Sequence, residues 1–137
     1  MDDKDTLDQI IAGAIDHDKI QTRGIEGEKL AYAPNKQKPY TGWVKSMHDN
    51  GQVAWLGQCK DGKVDGLMTL WYKNGQKQEE STYKDDKLMT SVVWQTDGEK
   101  CPVTNDVNGN GVKVAYLITG EELFRETYKD GQFVSMK

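Results

Sequence analysis

At 137 residues, with 14 glycines, 36% hydrophobic residues and a mean hydropathy of −0.80, the chain has the size of one domain and a composition that favours strands and turns over a helix-rich fold. The formal charge of −4 comes from the first 18 residues, where six aspartates face Lys4 alone; the remainder carries 17 basic and 16 acidic residues, interleaved. That balance gives neither a nucleic-acid footprint nor a polybasic patch for anionic lipid, and no run nears the roughly 20 apolar residues of a membrane helix.

The start, MDDKDTL, lacks the basic and apolar regions of a signal peptide, so the chain as given reads as soluble. Cytoplasmic residence and export with the signal removed both stay open. Leu7, Ile10, Ile11, Ala14 and Ile15 recur at helical spacing and predict a short helix with acidic residues near its start, where the helix dipole favours them. Residues 1–17 are read as an acidic helical cap over the first edge of a repeat domain spanning 18–137.

The repeat is legible from its punctuation. GLMTLWYKNG runs nine residues from Gly66 to Gly75, and eleven further on Asp86 closes YKDD. The same two spacings, nine and eleven, recur from Gly42 through Gly51 to Gly62, from Met89 through Gly98 to Gly109, and from Gly111 through Gly120 to Gly131. Units are thus predicted at 42–62, 66–86, 89–109 and 111–131. An eroded copy at 18–38 rests on Gly27 and spacing alone, as end units of repeat proteins often do. Asn50-Gly51, Asn74-Gly75 and Asp97-Gly98 predict type I′ hairpin turns, Thr119-Gly120 a poorer one, and Asp61-Gly62, Asp85-Asp86, Asn108-Gly109 and Asp130-Gly131 turn the chain again. Each unit is therefore strand, turn, strand, turn.

Period two in the first strands puts Met47, Trp71, Trp94 and Tyr116 in one column, the expected apolar core stripe. His48, Tyr72, Gln95 and Leu117 form another column with no evident common role. The second strands are more polar, with Trp55, Tyr83, Phe124 and Tyr128 as aromatic anchors. Pro102 falls inside the second strand of unit three, a position that demands an edge, bulge or irregularity. Residues 133–136 are expected to leave an open edge through which the chain could pair with a second copy. The fold class is all-β, a long and thin antiparallel sheet of stacked hairpins behind a short helix.

The segments GLMTLWYKNGQKQEESTYKDDK, TGWVKSMHDNGQ with QCKDGKVDG, VVWQTDGEK, and RETYKDGQ resemble the GxWTxWYxNGQKxxExxYKDGKxxG signature of the MORN-repeat variant family, bacterial proteins sometimes labelled YwqK-type antitoxins. The match covers about residues 40–131, with Met89 and Asp86 replacing consensus glycines. The resemblance implies stacked β-hairpins that serve as a binding or scaffolding surface, with antitoxin-like or immunity-like binding as one role. It transfers no catalytic residues.

Chemistry-bearing patterns are few. DVNGNG at 106–111 alternates oxygen ligands as an EF-hand loop begins, but Leu117 stands where a bidentate glutamate belongs, and the repeat explains both glycines. His17 and His48 each neighbour aspartates in sequence, yet adjacent strand residues face opposite sides, so no dyad follows. Cys59 and Cys101 read as two separate thiols, with a single disulfide left open. Nucleophile elbows, phosphate loops and paired-cysteine knuckles are missing from the sequence. The expectation is a non-catalytic interaction or scaffolding protein with no cofactor or metal and an unidentified protein partner. Rivals are a toxin-binding antitoxin or immunity protein and a glycan binder stacking sugars on exposed rings. The residues that would carry binding, or else the core, are Trp43, Trp71, Trp94, Tyr116 and Tyr72.

Overall fold

A computed structural model of the chain describes residues 4–24, 29–102 and 108–136. Helix α1 (Lys4–Gly13) leads into β1 (Ile15–Asp16), a single 3-10 turn (His17–Lys19), β2 (Gln21–Arg23) and β3 (Leu30–Tyr32). Eight further strands follow: β4 (Gly42–Met47), β5 (Val53–Lys60), β6 (Lys63–Trp71), β7 (Lys77–Lys84), β8 (Lys87–Val93), β9 (Gly111–Tyr116), β10 (Glu122–Lys129) and β11 (Gln132–Met136). The chain is all-β apart from that helix, and its repeats are antiparallel hairpins.

Among the described residues the hairpins fall into three sheets. Strands run β1-β4-β5-β6-β7-β8 in one sheet and β11-β10-β9 in a second, with β2-β3 as a separate hairpin. The boundary between the first two lies at the second strand of unit three, whose described residues show one bridge, Trp94 to Lys100, and whose residues 103–107 lie outside the described residues. Backbone bonds still join the two sheets: Leu88 N–H donates to Gly131 O (3.0 Å), Gly109 N–H to Met89 O (2.7 Å) and Gly131 N–H to Gly109 O (2.9 Å). Val93, Cys101 and Val114 form a buried cluster across the junction, with Val112 and Tyr116 packed against it.

The helix does not cover the first edge by itself. β1 pairs in parallel with β4, Ile15 opposite Val44 and Asp16 opposite Lys45, so a short strand occupies that edge. Helix α1 packs beside it, and Lys45 Nζ donates to Ile11 O (2.8 Å), a carbonyl at the helix end that also accepts from the Ala14 amide (3.3 Å). β2 and β3 occupy the region of the eroded repeat; its marker Gly27 lies outside the described residues.

The turns expected to be type I′ are of another type. At Asn50-Gly51, Asn74-Gly75, Asp97-Gly98 and Thr119-Gly120 only the glycine has positive φ, between 86° and 96°. In each, the glycine N–H bonds the carbonyl three residues back and that residue's N–H bonds the one after the glycine, as in Tyr72 with Gly75 and Gln76. This is a type I turn closed by a glycine bulge. Asn and Asp stand before the glycine because the side chain accepts the amide two residues on, Asn50 Oδ1 from Gln52, Asn74 Oδ1 from Gln76 and Asp97 Oδ1 from Glu99. Type I′ geometry belongs to the other set, where Asp61, Asp85, Asn108 and Asp130 have φ near 50° and the following residue is also positive.

Candidate interaction surface

The column Met47, Trp71, Trp94, Tyr116 is not the core stripe. Met47 is 41% exposed and the three rings are half-buried, while the fully buried side chains are Leu56, Leu88, Val114, Thr69 and Ser81. The reason is position: these residues sit beside the bulged turns, where the register slips between Ser46 and Met47 and between Leu70 and Trp71, so they line the rim of the sheet. Trp71 joins Leu7, Ile11, Met47 and Val53 along a groove of about 430 Å³ between α1 and the first hairpins. Lys77 Nζ lies 5.6 Å from the centre of the Trp94 ring, and Tyr116 Oη donates to Cys101 Sγ at 3.1 Å. Trp43 is half-buried on β4 and its carbonyl accepts from Tyr40 Oη.

Tyr72 is of another kind. It is 4% exposed, and its hydroxyl donates to the carbonyl of Trp94 in the next unit (2.8 Å). Burial, with Cys101 and Glu79 nearby, pushes its pKa up to about 12. One unit earlier, His48 Nε2 donates to the carbonyl of Trp71 (2.8 Å). The column of His48 and Tyr72 therefore stitches each unit to the next, and the His48 ring is committed to a backbone carbonyl rather than to an aspartate. His17 packs edge-on against Trp55, with ring centres 5.3 Å apart.

A charged cluster that sequence reasoning missed lies between the sheets. Lys113 Nζ is 3.3 Å from Glu79 Oε2 and 3.7 Å from Glu126 Oε1, with side chains only 12%, 10% and 23% exposed. Ser81 Oγ also donates to Glu79, and the ammonium lies 5.4 Å from the centre of the Tyr128 ring. Burial alone would lower the pKa of Lys113, but Glu79 foremost, with Tyr83, Tyr128 and Glu126, holds it above the ordinary lysine range. Burial pushes Tyr128 up to about 12 against the pull of Lys113. A sequence signal existed: Lys113 shares its repeat position with Val44, Met68 and Ser91, and Glu79 shares its own with Trp55, Pro102 and Phe124. A charge in a mostly uncharged, inward column needs a partner.

Above this cluster, Tyr83, Tyr128 and Phe133 line a groove of about 700 Å³ rimmed by lysines and Asp85 and Asp86. The groove borders β11, whose five residues are all exposed. Of eight large apolar side chains exposed among the described residues, six belong to the last hairpins: Leu117, Ile118, Leu123, Phe133, Val134 and Met136. Against calcium binding at 106–111, Asn108 and Gly109 form a turn, Asn110 Oδ1 accepts from the Asp130 amide, and Asp106 lies outside the described residues. Among the described residues no group of three or more His, Cys, Asp or Glu is arranged to hold a metal ion, and no helix is long and apolar enough to cross a membrane. Cys59 and Cys101 are not joined in a disulfide. Comparison with protein-family models, curated proteins and solved structures finds no match to the chain.

Proposed function

We propose that the chain is a non-catalytic repeat module of the MORN-variant type that binds or scaffolds a protein partner. The observation that carries this reading is the concentration of exposed apolar side chains in the final hairpins, with Ile118 at 51%, Leu123 at 53% and Phe133 at 53%. Side chains of this size, six of the eight exposed among the described residues and gathered in the last hairpins, favour contact with another macromolecule. A toxic partner held by this surface would make the module antitoxin-like or immunity-like. Affinity capture from the source organism, comparing the natural chain with a triple variant Leu117→Ser, Ile118→Ser, Leu123→Ser, tests the proposal. A partner recovered in stoichiometric amount and lost with the variant is the expected result; no such partner, or one retained by the variant, would refute it.

A second reading draws on the half-exposed rings. None of Trp43, Trp55, Trp71 and Trp94 is fully buried, so each retains some ring surface for stacking on a ligand such as a cell-wall glycan. Titration of tryptophan fluorescence with glycan fragments decides it: a saturable change supports stacking, and an unchanged spectrum rejects it.

A further inference from the structure

We infer that the face of β4–β6 beneath β3 and the 3-10 turn is a binding site for a small uncharged aromatic molecule, a ring of about the size of toluene or p-cresol. The site does not depend on the partner-binding reading, which rests on the last hairpins.

The site begins with an exception in the repeat. Cys59 holds the unit position taken by Tyr83 in unit two and Tyr128 in unit four, and Gly57 holds the one taken by Ser81 and Glu126. Unit one thus lacks a ring and, two residues before it, a side chain. The register keeps both vacancies together: Val44, Gly57 and Met68 lie opposite one another across three strands, and Cys59 lies opposite Val64. The end of Met68 takes the place of the side chain that Gly57 lacks, since a Cβ there would stand 2.6 Å from Met68 Cε. Beside Cys59 a cavity of about 200 Å³ remains.

Its walls are Val44, Trp55, Val64 and Met68 from the sheet, with Ile20 and Ala31 crossing above them. That roof is tied down by backbone bonds: Ala31 N–H donates to Gly62 O (2.9 Å), and Tyr40 N–H donates to Ala31 O (2.8 Å).

The lining selects an uncharged occupant. It includes no Asp, Glu, Lys or Arg. Gln58 Oε1 already accepts from the Leu67 amide (2.8 Å), and the exposed His17 lies edge-on against Trp55. An ion entering here would lose its hydration and find no formal counter-charge. An apolar cavity of about 150 Å³ accommodates benzene, so the larger volume here leaves room for a substituent. Trp55 and Met68 favour an aromatic over an aliphatic occupant, because rings pack edge-on or offset and a thioether sits well at a ring edge. Met68, unbranched, can adjust to the shape of what enters.

Titration of the full chain with toluene and p-cresol at about pH 8, where histidine is ordinarily neutral, tests this. The Met68 methyl and Trp55 indole signals, followed by NMR, should both shift and saturate. Benzoate, the same ring with a carboxylate, should bind about tenfold or more weakly. Cys59→Tyr and Val64→Phe each grow a ring into the cavity from facing strands, and each should weaken toluene binding by about tenfold or more. Cys59→Ala leaves the cavity open and should bind within about threefold of the natural chain. Circular dichroism confirms folding, and two filling variants on separate strands keep the test intact if one fails to fold. Absence of saturable shifts in the natural chain, benzoate bound as tightly as toluene, undiminished binding in a folded filling variant, or loss of binding in C59A would each overturn the proposal.

Discussion

Tyr72 and Thr69 lie close together on the chain and make opposite predictions. The Tyr72 hydroxyl is buried and donates to Trp94 O, so Tyr72→Phe should cost about 1 kcal/mol at neutral pH. Its pKa, raised from 10.0 to about 12, implies that the folded state holds the proton more tightly than the unfolded chain. The resulting stability is complete below pH 10.0 and is lost as pH climbs to about 12, with Tyr128 acting in the same direction. Urea titrations at pH 9 to 12 should therefore show a shallower alkaline loss for Y72F than for the natural protein. Thr69 is 2% exposed and its Oγ1 has no hydrogen-bond partner among the described residues. Thr69→Val removes that uncompensated hydroxyl at nearly constant volume and should raise stability by about 1 kcal/mol, read as an upward shift in thermal midpoint.

At the scale of the hairpin, each asparagine before a bulge glycine serves two structures at once. Asn74 Oδ1 accepts the Gln76 amide within its own turn, and its Nδ2 donates to Thr96 O in the next unit (3.3 Å). Asn50 does the same toward Lys73 O (3.1 Å). Asp97 has the acceptor but no amide to donate. Asn74→Asp should keep the turn and lose the stitch, costing about 1 kcal/mol, while Asn74→Ala should lose both and cost about 2 kcal/mol in denaturant unfolding. The hairpins themselves were readable because turn chemistry is local: a glycine or asparagine at fixed spacing marks where the chain reverses. The turn type was not, since Asn-Gly suits either geometry and only the strand register that follows selects one. The Lys113–Glu79 pair escaped for a related reason, its members lying 34 residues apart on β9 and β7. The half-wet setting of Trp71 and Trp94 likewise depends on where the bulge falls, which no alternation pattern records.

Across the whole molecule the two rows of turns have different surroundings. Gly51, Gly75, Gly98 and Gly120 are exposed, whereas Gly62, Gly109 and Gly131 are buried against neighbouring backbone. A Cβ on Gly131 would stand 2.6 Å from Lys87 Cβ and 3.1 Å from Leu88 O, at a φ of +80°. Gly131→Ala should therefore cost about 3 kcal/mol or more, since it forces apart the backbone that joins the sheets. Gly51→Ala, where a Cβ meets nothing within 4 Å, should cost only about 1 kcal/mol for its φ of +86°. Thermal unfolding of the two variants side by side checks the asymmetry.

That asymmetry also makes the molecule a display frame. Successive bulged tips are two strands apart, which sets them about 10 Å from one another; the tip at Gly51 has open surroundings, and at Gly75 a Cβ would meet only the end of the Gln52 side chain. Peptides inserted there would project in parallel like the teeth of a comb, at a pitch set by the ladder, while the buried row opposite holds the spine that carries them.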